Sequence, residues 1–310
     1  MPRPEDVTLA ICTRERPEML TAALASFTAV TPPGVQILVV DSASTTAATW
    51  SVAEAAGVDY VRSDIKGLSI ARNLALATSR RPIIVFTDDD CAAVDGWMAP
   101  ILEGFEAPVV GAVTGRMLDH TLVGTQPSPP PRRFTRTIEG IDAGHGAIMA
   151  FRRERLVALG GFDPVLGAGR RLAGAEDLDM FCRILDDGAH IVYDPSCVVH
   201  HVHTRADDAY TVLHHGYGLG LGALTAKWVR LRAIVGVRLF AVATKRTLSR
   251  AVRNRREPRR RDADLALFRG FLGGFFIAVR FALDGRVFVD GDPPTPISLG
   301  VATRRGGDDS

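Results

Sequence analysis

Apolar residues first appear in short unbroken runs: Val7–Cys12, Val35–Val40, Val58–Val61 and Pro82–Phe86. Runs of this length, bounded by polar residues, predict strands buried on both faces. Between them the apolar positions take a helical period, with Leu20, Leu24 and Phe27 inside Pro17–Phe27. A small helix is predicted over Thr49–Ala56 and a longer one over Leu68–Thr78. This alternation predicts an α/β fold, a Rossmann-like and mostly parallel sheet flanked by helices, over roughly the first 110 residues.

The pattern then loosens. Val109–Gly115 reads as a further strand, and the proline-dense Pro127–Pro131, followed by Arg132 and Arg133, as a mobile loop beside a site. Gly144–Phe151 reads as a glycine-rich strand, and Arg153–Leu159 as a short helix stopped by Gly160-Gly161. A Gly/Arg loop spans Gly167–Gly174. A helix follows over Ala175–Asp187, with Leu178, Phe181, Cys182 and Leu185 on one face. Ile191–Tyr193 and Cys197–Val199 read as two short strands. The expected division is a first domain over 1–210 with halves at about 1–110 and 111–210, a helical basic extension over 211–292, and a disordered tail over 293–310.

Composition narrows the class. The chain has 310 residues, 46% hydrophobic, with a net charge of +2, so it carries no global nucleic-acid signature. Its four cysteines, Cys12, Cys91, Cys182 and Cys197, show no CxxC spacing; Cys12 and Cys182, in apolar-periodic segments, read as buried thiols, which fits a reducing compartment. The N-terminus has no apolar signal region, which predicts a cytoplasmic protein. No run approaches the ~18 apolar residues of a membrane span. Charge is unevenly placed: Lys227 to Arg261 holds thirteen Lys/Arg against one acid, Glu257. Trp228, Val229, Leu231, Ile234, Val235, Leu239 and Phe240 interleave with these cations. That suits a helix lying on an anionic membrane surface, peripheral on its inner face. It suits equally a helical appendage packed on the first domain. Stacking aromatics are too few for nucleic acid.

Candidate chemistry sits at strand ends, where open α/β sheets bind ligands. Asp88-Asp89-Asp90 follows the fourth run; acids two apart can converge on one hard cation, though a solvated acidic turn looks the same. Thr13-Arg14 ends the first run and Asp41-Ser42 the second. Asp41 suits a hydrogen-bond acceptor for a base or ribose, or a turn cap. Lys66-Gly67-Leu68-Ser69 opens the helix carrying Arg72 and Asn73, a place for an anionic or nucleotide ligand; Arg72 also reads as a surface cation. Glu176, Asp177 and Asp179 begin the later helix, as caps or as a general base, for which Asp177 is the first choice and Glu176 the alternate. In His200-His201-Val202-His203, the residues 201 and 203 share a face, and one of them can complete a metal site with Asp90.

The ordered set resembles a family 2 inverting glycosyltransferase of the GT-A fold. The segments that carry the resemblance are Val7–Arg14, Leu38–Ser44, Gly67–Asn73, Val85–Asp90, Gly160–Asp163, Ala175–Asp179 and Tyr193-Asp194-Pro195 leading into the histidines. It implies a nucleotide-sugar half in 1–110 and an acceptor half in 111–210. Asp41 would contact the base, and Thr13, Arg14, Arg16, Lys66 and Arg72 would hold the nucleotide with Asp88 and Asp89 beside it. Asp88 and Asp90 would bind Mn2+ or Mg2+ on the diphosphate with His201, although Asp89 can replace either acid. Asp177 would be the catalytic base. His145, Gly146, Arg170, Arg171 and His203 are expected on the acceptor side. Where the family usually has Asn after the second strand's Asp, this chain has Ser42. The implied partners are a nucleotide-sugar donor, with UDP the commoner nucleotide, and an acceptor hydroxyl on a lipid-linked sugar, polysaccharide precursor or small molecule. A nucleotidyltransferase on a related fold is disfavoured because Thr13–Pro17 is not glycine-rich, and a dehalogenase-like phosphatase because the acids follow the fourth strand. A non-catalytic sugar-nucleotide-binding or membrane-associated protein stays open.

Overall fold

The computed structural model describes residues 1–119, 128–202 and 207–300. It divides the chain into two compact units, one of Met1–Gly161, Phe181–His203 and Pro293–Ser310, the other of Phe162–Met180 and Thr204–Asp292.

The first unit opens with β1 (Val7–Thr13), α1 (Pro17–Val30), β2 (Gln36–Ser42), α2 (Ala48–Ala55), β3 (Asp59–Ser63), α3 (Leu68–Thr78) and β4 (Ile83–Asp88). All seven residues of β1 are buried, as a strand covered on both faces requires. Pro17 occupies the first turn of α1, where its missing N–H costs nothing, and the helix buries Leu20, Ala23, Leu24 and Phe27. Phe27 meets Trp97 edge-on, ring centroids 5.5 Å apart.

Then follow β5 (Cys91–Ala93), α4 (Ala99–Gly104), β6 (Val110–Asp119), β7 (Arg132–Phe134), β8 (Ile148–Arg152) and α5 (Arg153–Ala158). Next come α6 (Glu176–Asp186), which begins in the second unit and ends in the first, and β9 (His190–His201). The sheet order is β3-β2-β1-β4-β8-β6-β9-β5, with β7 also on β9. The expected parallel sheet holds from β3 to β4. Beyond it β8 runs antiparallel to both β4 and β6, and β9 parallel to β6, so the whole sheet is mixed. The two strands expected over 191–199 are one twelve-residue strand. The register with β6 shifts between Val110 and Ala112 and between Thr114 and Arg116, absorbing the Asp194-Pro195 step without ending the strand. On α6, Phe181, Cys182 and Leu185 are buried as expected, Phe181 stacking on Phe151, whereas Leu178 is only half-buried.

The tail is a correction over residues 293–300. Ile297 N–H donates to the Asp64 carbonyl at 2.7 Å, Ser298 Oγ to the Asp64 carboxylate at 3.1 Å, and Arg62 to the Ile297 carbonyl. These bonds tie the stretch to the end of β3 instead of leaving it disordered.

The second unit contains α7 (Asp207–Leu231), α8 (Ala233–Arg253), α9 (Pro258–Ala278) and the short hairpin β10 (Leu283–Asp284) with β11 (Val287–Phe288). Helices α7 and α9 touch backbone to backbone. A Cβ on Gly218 would lie 2.1 Å from the Leu267 carbonyl oxygen, and one on Gly222 2.0 Å from that of Phe271. Reciprocally, Gly270 would meet His215 O at 2.2 Å and Gly274 Leu219 O at 2.0 Å. Val165, Leu166, Leu172, Ala223, Ala226, Ala278 and Phe288 form the core beside this seam. An ion triad lies inside it: Lys227 Nζ is 2.6 Å from Asp163 Oδ2 and 2.8 Å from Asp179 Oδ1, all three side chains without exposed surface. Asp163 also accepts from Val165 N–H at 3.0 Å and Phe288 N–H at 2.8 Å. Among the described residues no helix is long and apolar enough to cross a membrane.

Candidate functional site

Strand β4 delivers the acidic triplet to the edge of the sheet, and the chain turns at once into β5. That three-residue strand pairs antiparallel with the last residues of β9, setting Cys91 opposite His201. The pairing explains how His201 comes within 3.5 Å (Nε2 to Oδ2) of Asp90, more than a hundred positions earlier. Asp88, Asp90 and Cys91 each bring one potential ligand atom within 4.8 Å of the others. Burial raises the Cys91 thiol above its ordinary range, with the neighbouring carboxylates adding to the effect. The two carboxylates, with the His201 imidazole beside Asp90, are an oxygen-rich donor set that fits a hard divalent cation such as Mn2+ or Mg2+.

Asp89 does something else. It is 4% exposed, accepts from Thr13 Oγ1 at 2.7 Å and from Arg16 at 3.0 Å, and so pins the end of β1 to the turn after β4. Burial raises its pKa while the Thr13 hydroxyl pulls it back. Thr13 and Arg16, expected to hold nucleotide, are thus engaged with an acid, Arg16 also lying 3.6 Å from Asp90. Arg72 is fully buried instead of a surface cation. Its guanidinium lies 3.8 Å from Asp88 and 5.9 Å from the Phe86 ring centroid, so it orients that acid from beneath.

Asp41 takes the turn-cap part. Its side chain has no exposed surface, and its carboxylate accepts from Ser44 N–H at 2.9 Å, Tyr60 Oη at 2.9 Å and Arg62 at 3.2 Å. With no surface and three donors in place, it has no reach to a base in this structure. It shapes the loop after β2. Residues 60 and 62 share one face of β3, so the period of two was the signal that could have found them. Ser42 takes a related part: its hydroxyl accepts from Gly67 N–H at 3.0 Å and donates to the Gly67 carbonyl at 3.3 Å, fixing the start of α3. Lys66, just before, is half-buried.

The loops after β1 and β2 are tied together, with Ser44 Oγ accepting from Glu15 N–H at 3.0 Å and Glu15 from Thr45 N–H at 2.7 Å. Glu15 (φ 56°) and Ala43 (φ 61°) sit in the left-handed region, where a side chain costs about 1 kcal/mol or more. Both lie in segments singled out by sequence. Arg14, next to Glu15, has its buried Nε without a hydrogen-bond partner, an orphan donor suited to an anion. Gly161 (φ 73°) has Asn73 Oδ1 only 2.5 Å from where a Cβ would be, so the Gly160-Gly161 motif and the Arg72-Asn73 motif require each other.

His145 stands just before β8 and accepts from Met117 N–H at 3.3 Å through Nε2, leaving its buried Nδ1 unpartnered. Burial first, and His201 second, lower its pKa to about 4, so it is neutral at physiological pH. Gly146 beside it is half-buried. His203 lies outside the described residues.

In the second unit, Asp177 and Glu176 occupy the first turn of α6, preceded by Ala175 at φ 60°. Glu176 is 7% exposed, whereas Asp177 keeps surface and accepts from Leu178 N–H at 2.7 Å. The expectation of an acceptor-facing Arg170 is not met: it is buried and paired with Asp290. Arg171 is exposed. The Gly167–Gly174 loop is closed on itself by Gly167 N–H to Leu172 O at 3.0 Å and Arg170 N–H to Gly167 O at 3.1 Å.

Residues 8–156 match the profile of the family described as Glycosyl transferase family 2. A curated relative, the pre-mycofactocin glycosyltransferase of Mycobacterium tuberculosis (strain CDC 1551 / Oshkosh), is 28% identical over 153 residues, which are 44% of this chain and 30% of that protein. The match therefore spans less than a third of that relative's length. Two solved structures share the fold. The mannosyltransferase PcManGT from Pyrobaculum calidifontis, in complex with GDP-Man and Mn2+, superposes with a TM-score of 0.65 at 21% identity, covering 89% of this chain and 88% of its own. GalNAc-T7 with UDP, GalNAc and Mn2+ gives a TM-score of 0.51 at 16% identity, over 64% of this chain and 43% of its own.

Proposed function

We infer, taking residues 8–156 as a glycosyl transferase family 2 domain, that the chain moves a sugar from a nucleoside-diphosphate donor to an acceptor hydroxyl with inversion. The observation that carries this reading is the convergence of Asp88 and Asp90, with His201 set against Asp90 across the β5–β9 pairing. Those residues would hold Mn2+ or Mg2+, which when bound supplies Lewis-acid stabilisation of the leaving diphosphate. Arg14 offers its orphan Nε to the anionic donor, and Arg72 holds Asp88 in place. Asp177 is the base: it takes the proton from the acceptor hydroxyl as that oxygen forms its bond to the anomeric carbon and the bond to the diphosphate breaks. A single displacement inverts the centre and leaves no glycosyl-enzyme to stabilise. Between the two candidate bases, retained surface favours Asp177 over buried Glu176.

Support for a nucleotide-sugar donor comes from the fold neighbours, whose complexes hold GDP-Man or UDP with Mn2+. The test is thermal shift of the purified chain against UDP, GDP and dTDP, with and without Mn2+, followed by transfer assays with sugars of the nucleotide that responds. Metal-dependent stabilisation by one nucleotide is expected, at about 2.7 kcal/mol for a ligand at a hundred times its Kd. Asp177→Asn should keep that stabilisation and lose transfer by a hundredfold or more, within the roughly 10²–10⁴ typical of a positioned base. Stabilisation by none of the nucleotides removes the donor-site assignment; an Asp177→Asn protein that transfers normally removes the base.

A further inference from the structure

The turn from α8 into α9 encloses a cavity of about 320 Å3 within the second unit, lined by Tyr210, Arg250, Arg253, Asn254, Arg260 and Asp264. Asp264, 2% exposed, organises one wall. One of its oxygens lies 3.1 Å from Arg250 Nε, and the other accepts from the Asn254 amide at 2.8 Å. Arg259 lies over the Tyr210 ring, 4.8 Å from its centroid. Arg260 makes a 3.1 Å surface pair with Glu257 and keeps 61% of its side chain exposed.

The charge here exceeds what the local acids neutralise. From Arg250 to Asp264 there are seven arginines against Glu257, Asp262 and Asp264, and α8 itself contains no acid. Every cation of that stretch is arginine, whose planar fork matches phosphate oxygens in pairs. The 21-residue α9 begins at Pro258, two residues before the lining Arg260, and helix N-termini carry partial positive charge. A charged, half-open cavity of this size, with excess guanidinium and a helix N-terminus, has the features of a phosphate site built away from the strand ends.

We propose that the α8–α9 elbow binds a phosphoryl group, a phosphomonoester or diphosphate, independently of the cation cluster. Soluble phosphates and phosphomonoester lipid headgroups share this chemistry. The surface of α8 bears on the second source: Ile234, Val237, Leu248 and Val252 are 72%, 59%, 45% and 62% exposed among Arg238, Lys245 and Arg246.

The test uses the full chain with EDTA present, so that no cation bridges phosphate to Asp88 and Asp90. Inorganic pyrophosphate is titrated calorimetrically into the wild type, an Arg253→Ser/Arg260→Ser double variant and an Asp88→Asn/Asp90→Asn variant. Both arginines lie on the surface, so the double variant is not expected to disturb folding. Losing two charge-assisted contacts should weaken pyrophosphate roughly tenfold or more, while the aspartate variant binds like the wild type. In parallel, flotation with phosphatidylcholine vesicles, with or without phosphatidic acid, reads the lipid source. Arginine-dependent binding of pyrophosphate alone identifies a soluble phosphate, and arginine-dependent flotation with phosphatidic acid identifies a headgroup. If neither probe distinguishes the arginine variant from the wild type, or if pyrophosphate binding vanishes only in the aspartate variant, the proposal is overturned.

Discussion

Asp89 accepts from Thr13 and Arg16, whereas its neighbours Asp88 and Asp90 bring oxygens within 4.8 Å of each other and of Cys91. The register of the triplet was open in the sequence because three identical residues carry no pattern; only the partners from β1 and β9 separate them. Asp88→Asn or Asp90→Asn is therefore expected to weaken Mn2+ binding by roughly ten- to hundredfold or more, at least what losing an outer partner of a metal ligand costs. Asp89→Asn should leave Mn2+ affinity nearly unchanged and cost about 1–3 kcal/mol of stability through its unmet partners. Electron paramagnetic resonance of free Mn2+ and urea unfolding measure the two effects; equal Mn2+ loss in all three variants would refute the assignment. Asp41 was legible as special, and of its two readings the turn cap is the one seen, through Ser44 N–H; its neighbours Tyr60 and Arg62 come from an adjacent strand and were not legible. Cys12 and Cys182 were legible as buried thiols, and the structure adds Cys91 and Cys197, all four free and buried. Burial raises Cys12 and Cys197 from 9.0 to about 12. Their folded pKa exceeds the unfolded one, so the stability they contribute is intact below pH 9 and lost as pH rises toward 12. Each should lower the unfolding free energy by about 1.4 kcal/mol per pH unit in that window. Cys197→Ala should remove its share of the slope, which chemical denaturation at pH 8 and pH 10 would show.

Helices α7 and α9 meet through glycines at 218 and 222 facing 270 and 274, spaced four apart on each helix. A methyl at Gly222 would overlap a carbonyl oxygen that has nowhere to retreat. Gly222→Ala is expected to cost about 3 kcal/mol or more, read from the urea midpoint of circular dichroism; a loss under 1 kcal/mol would mean that the helices separate easily. The sequence reading drew nothing from Gly218 and Gly222, because glycine alone does not say which partner it admits. The Lys227 triad joins two motifs noticed separately, Asp163 of the Gly160–Asp163 turn and Asp179 of α6. Replacing the lysine with Met leaves two carboxylates facing each other without a cation, and the expected cost is roughly 3–5 kcal/mol. Restored stability in Lys227→Met combined with Asp179→Asn would locate that cost in the stranded charge. Among local elements, the reading of Pro17–Phe27 stopped three residues short of the observed Val30, that of Ala175–Asp187 ran one residue over at each end, and Leu68–Thr78 fell on α3 without error. The three-residue β5 and β7 left no periodic signal, because pairing with β9 is what makes them strands.

The whole chain carries a net charge of only +2, which conceals an acidic stretch over 1–210, with 19 Lys/Arg against 27 Asp/Glu, and a basic one over 211–310, with 18 against 8. Composition could not show that segregation, but position along the chain did. Long-range closure was beyond the sequence altogether: Pro293–Ser310 belongs to the first unit, and Arg62 reaches both Asp41 and the Ile297 carbonyl. Ending the chain at Asp292 should thus loosen the loop after β2, lowering stability by about 1–2 kcal/mol and the melting temperature by a few degrees. A truncated chain melting with the intact one would show those bonds to be incidental. The pairing of β5 with β9 has a consequence for biosynthesis. A ribosome that has made Asp88 and Asp90 must add more than a hundred residues before His201 exists, roughly five to twenty seconds of synthesis. Throughout that interval the two acids lack the imidazole that would complete the proposed site. Tight cation capture through it would therefore be a late event in the life of each molecule, and metal uptake by nascent chains would report completion of the sheet.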